Sequence, residues 1–434
     1  MKKHKLAITL PLLAVLLVLI PALTMGVSWV KQVGLLSADA VVFSSDAPAI
    51  DRFMAKAMEV VYDDRIAVCD GTADQVEIQA AIDAFPSTGG KLVLSSGSYY
   101  DNASIEIPQT GGYSYISIMG QGPSTILRSD PADAISDHFI KCASEAARNM
   151  YVDLQNFRIT GTNQAANGTS DSSGVKLWGS SYSHISNLTI QSCYKHGIWL
   201  ACDAGTAAID FRVMDCKLSA NGGGGVYLDD SNTDVTVMGC NIYDNTGNGI
   251  YVGGAGGVII EGNRLYNQTL TNINTNGMWT QIIGNNISGN SYCVLGGSNA
   301  DRSIIQGNVC QYSSTYGVRL QTGCDNCVVT GNHFYDNDSA DVYDEGSSNQ
   351  VYGNSGDWVT ENTGTGTLGN GETSVVISHG MAATPTYIGI TWREDPTNAI
   401  ADWWISAENS TAFTLNGADP GASALNFWWT AEVR

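Results

Sequence analysis

The chain has 434 residues, 43% of them apolar and only 15% charged, with 48 glycines, a composition that excludes a disordered chain and suits many short strands joined by turns. The formal net charge is −21 and the basic residues form no stripe, which excludes a nucleic-acid binder that works by phosphate neutralisation. So acidic a surface favours solubility and can hold hard cations: no cofactor is required, and Ca2+ is the ion it would suit.

At the N-terminus Lys2, Lys3 and Lys5 precede an uncharged run from Leu6 to Val30. The run is long enough to span a bilayer, and the lysines keep its start in the cytoplasm. It reads as an uncleaved anchor over residues 1–36. A long signal peptide, cleaved after the small-x-small pattern Ala38-Asp39-Ala40, is the alternative. Both place the rest of the chain outside the cytoplasm, where ten cysteines can form disulfides. Cys324-x-x-Cys327 has redox-motif spacing, but no His cluster or second pair accompanies it, so it reads as structural.

Residues 37–62 read as a connecting segment with some helical character. Ile78, Ala81, Ile82 and Phe85 then fall on one helical face. Thr72 or Asp74 can cap that helix, and Pro86 with Gly89-Gly90 ends it before the strand Lys91–Leu94. A one-sided helix just before a long β region suits the open end of that region.

The chain then repeats. Asn263, Asn285, Asn308, Asn332 and Asn354 are spaced by 22, 23, 24 and 22 residues, and each follows a glycine. Apolar pairs such as Ile259-Ile260 and Val328-Val329 precede them. Leu265, Ile287, Cys310 and Phe334 stand two positions after the first four. Cys240, Cys216, Leu188 and Phe157 continue the column backwards. Leucine-rich repeats lack this pattern, and propeller blades need roughly 40 residues or more. A coil of about 23 residues made of short strands and turns fits a parallel β-helix, whose coils stack at ~4.8 Å and bring equivalent side chains into ladders.

Asp70-Gly71-Thr72-Ala73-Asp74, Ile78-Gln79-Ala80-Ala81-Ile82-Asp83, Gly89-Gly90-Lys91-Leu92-Val93-Leu94 and Gly97-Ser98-Tyr99 resemble the N-terminal signature of the pectate-lyase-like superfamily. Ile116–Gly122 resembles its next coil. The resemblance covers residues 63–360 and implies an all-β, right-handed parallel β-helix with an N-terminal capping helix. It does not fix an activity, because the superfamily contains lyases, hydrolases, epimerases, tailspikes and proteins with no known reaction.

Residues 361–372 read as a Gly/Thr/Asn linker. Strand-like runs follow at 373–378, 385–392, 400–405, 411–416 and 425–432, and five of the ten tryptophans lie among them. They suggest a small β-sandwich over 373–434, and Ser378-His379-Gly380 with Thr384-Pro385-Thr386 resembles modules of phage-tail and lectin-like proteins.

One strand of each coil reads Val175-Lys176-Leu177, Ile198-Trp199-Leu200, Val226-Tyr227-Leu228, Ile250-Tyr251-Val252, Val318-Arg319-Leu320 and Val342-Tyr343-Asp344. Alternation turns the central residue outward. The outer column is then Lys176, Trp199, Tyr227, Tyr251, a polar gap, Arg319 and Tyr343. Trp199, Tyr227 and Tyr251 are the candidate substrate-binding residues, because aromatic rings stack on the apolar faces of sugars. The plainer account is that aromatic residues favour strands. Lyases of the superfamily need a base and a cation against a uronate carboxylate. Lys176, His196 and Asp229 are the candidate catalytic residues, with Asp203 and Asp230 nearby, although no catalytic signature of the superfamily stands in its usual order. No metal-binding residues are assigned. The expected function is extracytoplasmic binding of a polysaccharide or surface glycan, with lyase- or hydrolase-like cleavage if it is catalytic. The alternative is a structural or adhesive surface protein of tailspike type, with which a homotrimer is compatible.

Overall fold

A computed structural model describes residues 38–59, 66–108, 114–132, 135–142, 150–162, 172–201, 209–356, 361–381, 384–393, 403–421 and 423–432. The anchor expected over Leu6 to Val30 lies outside the described residues. Among the described residues, no helix is long and apolar enough to cross a membrane.

Three parallel sheets of 13, 11 and 10 strands run side by side. The chain passes through sheet 1, sheet 2 and sheet 3 in turn and then begins the next coil. Sheet 1 extends to Gln350–Tyr352, sheet 2 from Gly97–Asp101 to Ser355–Gly356, and sheet 3 from Ile105–Ile107 to Ala340–Asp344. This is the expected parallel β-helix.

Most strands have three residues. In sheets 1 and 2 the middle residue points inward, as in Ile259-Ile260-Glu261 and Arg264-Leu265-Tyr266. In sheet 3 the flanking residues point inward and the middle one outward, as in Ile250-Tyr251-Val252. The coils keep one register, so Ile185, Val213, Val237, Ile260, Ile282, Ile305 and Val329 form one continuous inner column.

The corner between sheets 1 and 2 is built from the repeated Gly-Asn pair. Gly262, Gly284, Gly307, Gly331 and Gly353 have φ between +61° and +64°, a region glycine enters without strain. The turn aims the following asparagine into the core, where all five asparagines are buried. From Asn285 onward, each Oδ1 accepts the backbone N–H of the asparagine before it and one of its side-chain N–H groups. Asn285 and Asn308 do so at 2.9 Å for both bonds. The other side-chain N–H reaches a backbone carbonyl of the previous coil, as from Asn308 to Ile282 at 2.8 Å.

Cys240 and Cys216 continue the column as expected, and keep half of its chemistry. The Cys240 N–H donates to Asn263 Oδ1 at 2.8 Å, while the two thiols point at the carbonyls of Val213 and Ile185. No disulfide is seen among the described residues, whose nine cysteines are all buried. They occupy inward positions and act as small apolar residues with a weak donor.

The stretch read as a connecting segment enters the solenoid. Ala40–Phe43 pairs with both Ile66–Val68 and Gly89–Leu94 in sheet 1, and helix α1 (Ala49–Glu59) follows it. Helix α2 (Gln75–Asp83) buries Gln75, Ile78, Ala81 and Ile82 against the core. Asp74 stands at its N-cap, yet its carboxylate turns away from the helix amides.

The C-terminal part is a β-sandwich of two three-stranded antiparallel sheets. Phe413, Leu415, Phe427 and Trp429 are its buried centre. The segment read as a linker supplies the strand Glu361–Leu368, paired with Leu425–Glu432. Its glycines mislead the sequence reading because they make room for rings: a Cβ on Gly364 would lie 2.6 Å from the Trp429 ring.

Two stability predictions follow from this packing. Asn308→Leu leaves the Asn285 amides and the Ile282 carbonyl unsatisfied in the core, and should cost ~1–3 kcal/mol in chemical denaturation. Gly364→Val forces a branched side chain into Trp429 and should cost ~1–3 kcal/mol, with loss of the near-ultraviolet dichroism of the sandwich tryptophans.

Candidate functional site

The register places Lys176 beside Trp199, Trp199 beside Tyr227, and Tyr227 beside Tyr251 on the outside of sheet 3. The gap in the column, expected to be polar, is Asn274 and the apolar Leu295, and Arg319 and Tyr343 follow. Arg319 is therefore four coils beyond Tyr227 and forms a separate cluster, paired to Glu345 at 2.8 Å and bonded to the Tyr292 hydroxyl at 3.2 Å.

Trp199 organises the first cluster. The Lys176 ammonium lies 3.7 Å from its ring centroid and 4.3 Å from that of Trp178, positions in which ring quadrupoles hold a cation. Trp199 Nε1 donates to Asp229 Oδ2 at 3.1 Å. The His196 ring packs edge-on to Trp199 and stacks on Tyr227 at 4.5 Å. The structure thus gathers Lys176, His196 and Asp229 around one indole. Asp230 accepts the Gly254 amide at 3.1 Å in a turn, and Asp203 lies outside the described residues.

The aromatic residues are half-buried, not exposed. Tyr227 and Tyr251 stack with centroids 4.8 Å apart and planes 17° from parallel, a separation equal to the coil spacing. The rings therefore stand on edge along the helix axis. His196 and Tyr251 stack on Tyr227, and Trp199 packs edge-on to it.

His196 is buried, and its Nδ1 accepts the Gly224 amide at 2.8 Å. The same position in earlier coils works alike: His138 Nδ1 accepts the Ser173 amide at 3.0 Å, and Ser173 Oγ accepts the His196 amide at 3.2 Å. These residues form a side-chain ladder at the corner leading into sheet 3. A nitrogen committed to that ladder is not free to take a substrate proton, which weakens the expectation that His196 is a general base.

Sequence reasoning missed the start of this column. Lys141 pairs with Lys176 and Glu106 with Lys141. Ile105-Glu106-Ile107 and Ile140-Lys141-Cys142 carry the same in-out-in alternation and would have revealed it. The Lys141 ammonium contacts Asp137 at 2.7 Å and Glu106 at 3.2 Å. Burial alone would raise the Asp137 carboxyl, but Lys141 holds it below the usual range. Sequence reasoning also missed a second buried amide ladder, between sheets 2 and 3, where Asn221 donates to Asn245 at 2.9 Å and Asn245 to Gln268 at 3.0 Å.

The fold defines the class: a parallel β-helix protein with a C-terminal antiparallel sandwich. The model of the family described as "Periplasmic copper-binding protein (NosD)" matches residues 155–370. The chain resembles ORF18 of Geobacillus virus E2, with TM-score 0.59 and 17% identity over 86% of this chain and 81% of that one. It resembles the N-terminal fragment of bacteriophage phi29 gene product 12, with TM-score 0.50 and 15% identity over 63% of this chain and 54% of that one. Pectate lyase Pel9A aligns at TM-score 0.47 and 13% identity, over 71% and 78% of the two chains. No curated protein matches this chain in sequence.

The copper in that family's description was weighed against the donors present. Among the described residues, no three His, Cys, Asp or Glu side chains converge within 155–370. The described cysteines there are buried in the core, so the described residues do not fit a copper centre.

The electrostatics of the cluster are testable. Burial, with added repulsion from Tyr251, Asp229 and Asp230, pushes the Tyr227 phenol up to about 12. Because the folded value exceeds the unfolded one, this contribution is intact below about pH 10 and is lost as the pH rises toward 12. The thermal midpoint should fall across that window, and fall less in Tyr227→Phe.

Proposed function

We propose that this protein binds a linear polysaccharide or surface glycan along the outside of sheet 3, beyond the cytoplasmic membrane. The observation that supports this reading is the unbroken outer column from Glu106 and Lys141 through Lys176, Trp199, Tyr227 and Tyr251 to Asn274. It offers one polar or aromatic edge per coil, at ~4.8 Å intervals, a spacing close to the repeat of a sugar chain. The rings stand on edge, so the contacts are hydroxyl, ammonium and carboxylate groups more than stacked faces. The uncharged N-terminal run supplies export or anchoring, and the "periplasmic" in the description of the matching family agrees with that side of the membrane. A Ca2+ ion between Asp229 or Asp230 and an acidic sugar would offset the net negative charge.

The binding role is favoured over a catalytic one because His196 is buried in its ladder. A structural, adhesive role is the second reading, and the mutual stacking of Tyr227 and Tyr251 favours it, since such stacking stiffens a sheet without any ligand.

Binding of the full chain to a broad glycan array, with and without Ca2+, tests the proposal. Lys176→Ala should weaken the recognised glycan by about tenfold or more, as a lost charged hydrogen bond is worth ~1.5–3 kcal/mol. Its cost in stability should be about 1 kcal/mol or less. Trp199→Ala should lose both binding and stability, because Lys176, His196 and Tyr227 pack on that ring and Asp229 is bonded to it. If the wild type binds no glycan, or Lys176→Ala binds as well as wild type, the structural reading replaces this one. A cleavage product that disappears in Lys176→Ala but persists in His196→Ala would restore catalysis with Lys176 as the base.

A further inference from the structure

The capping end of the solenoid holds a group of side chains that the outer column does not use. The Cys69 thiol and carboxylate oxygens of Asp74 and Glu77 lie within 4.8 Å of one another. Cys69 and Asp74 are buried, and Glu77 Oε2 is shut away from solvent without a hydrogen-bond partner. Asp101, at the end of the strand Gly97–Asp101, lies outside this group of three but near enough for charge to act between it and both Cys69 and Asp74. Its side chain points inward like that of Tyr99, and it is fully buried. Neither carboxylate oxygen makes a well-formed hydrogen bond, although the Gln75 backbone amide acts on the carboxylate.

Buried Cys69 and Asp74 and part-buried Glu77 stand close enough that each disfavours the charged form of the others, and the buried Asp101 adds to this. Burial pushes the Asp101 carboxyl well above its usual range, and the neighbouring Asp74 adds to this. Burial also raises Asp74, Glu77 and Cys69, and the surrounding carboxylates lift the thiol further. Hydrophobic residues would close this end of the core at lower cost. A cation at the centre removes the penalty.

The surroundings resemble a supported ligand set. Asp74 accepts the Gly71 and Tyr100 amides, each at 2.8 Å, through different oxygens. These bonds fix the carboxylate and leave each oxygen a lone pair. The Gln75 amide pairs with Asn102 at 2.7 Å and locks the first turn of α2 to the strand end that carries Asp101. A cleft lined by Ala49, Arg52, Phe53, Lys56, Val68 and Cys69 leads in from α1.

We propose that Cys69, Asp74, Glu77 and Asp101 bind one divalent transition-metal ion of the zinc type, which ties α2 to the first coils. The donor set selects the ion: Ca2+ and Mg2+ take oxygen ligands alone, whereas Zn2+ accepts thiolate and carboxylate together. Tetrahedral zinc places sulfur and oxygen ligands roughly 3.3–3.6 Å apart, a modest contraction of the observed group. As each bond to the ion forms, a ligand that holds a proton releases it to water. The site lies outside residues 155–370, so it is independent of the copper in the description of the matching family and of glycan binding on sheet 3.

The test uses the full chain, stripped of metal with a chelator and titrated with Co2+ as a spectroscopic substitute for Zn2+. One equivalent should bind and give a thiolate-to-cobalt charge-transfer band in the near ultraviolet. Zn2+ should displace it, Ca2+ should not, and the thermal midpoint should rise with bound metal. Cys69→Ser should abolish the band. Asp101→Asn, which keeps the shape of the side chain, should weaken Co2+ binding at least tenfold while leaving the metal-free protein no less stable. Absence of stoichiometric binding, survival of the band in Cys69→Ser, or displacement by Ca2+ overturns the proposal. Should Cys69→Ser fail to fold, an unchanged Co2+ affinity in Asp101→Asn overturns it alone.

Discussion

A solenoid of this kind depends on keeping every coil in one register, and buried amide ladders enforce that register. A coil slipped by one residue turns its inner column outward. Here it would also break the chain of bonds from Asn263 to Asn354, in which each side chain serves the backbone of one neighbour and the carbonyl of another. Apolar packing alone would hold the coils together without fixing their alignment, since Ile, Val and Leu substitute for one another at small cost. The polar ladder supplies the specificity, and three such ladders, two of amides and one of His and Ser, stand at two of the corners. The corners themselves carry strain. Tyr182, Trp279, Arg302 and Tyr312 adopt positive φ without being glycine, at ~1–2 kcal/mol each. A fold with fewer compensating bonds would not tolerate so many.

Register also creates the surface. Once inner residues align, outer residues must align as well, and columns of like side chains appear whether or not a ligand selects them. Tyr243 and Tyr266 stack on sheet 2 at 4.9 Å with planes only 1° apart, far from the Trp199 cluster. A stacked tyrosine pair is therefore not by itself a sign of binding. The Trp199 cluster differs in its variety: a lysine held between two indoles, a carboxylate fixed by an indole N–H, and charged neighbours in the two preceding coils.

The repeat was the most legible feature of the sequence because the Gly-Asn pair marks a corner and a ladder at once. The spacing of five asparagines identified the inner column, and the cysteines that extend it were placed correctly. The disulfides expected of an exported chain are not seen among the described residues, where packing puts each thiol in an inward position. The outer column was read in the correct order from Lys176 onward. Exposure was misjudged because a sequence shows which way a side chain points and not what leans on it: Lys176 and His196 cover ring faces that alternation alone would leave open. The strand at Glu361–Leu368 was hidden for a similar reason. Gly and Thr in alternation look like a linker until Trp429 and Phe427 are seen filling the space above the glycines.

The orientation of the rings bears on what kind of partner sheet 3 can hold. A crystalline or stacked polysaccharide needs ring faces lying flat on the protein, and those faces are here turned along the helix axis or covered. Recognition through edges depends on directional hydrogen bonds and charge, which discriminate between sugar epimers better than a flat apolar contact does. The charges along the column also change sign, from Glu106 and Asp137 through Lys141 and Lys176 to Asp229 and Asp230. A uniformly anionic polymer would meet repulsion at both ends of this stretch and attraction only in its middle. On the glycan reading proposed above, such a surface fits a chain whose acidic units meet its middle and whose neutral units meet its ends better than a homopolymer of uronates.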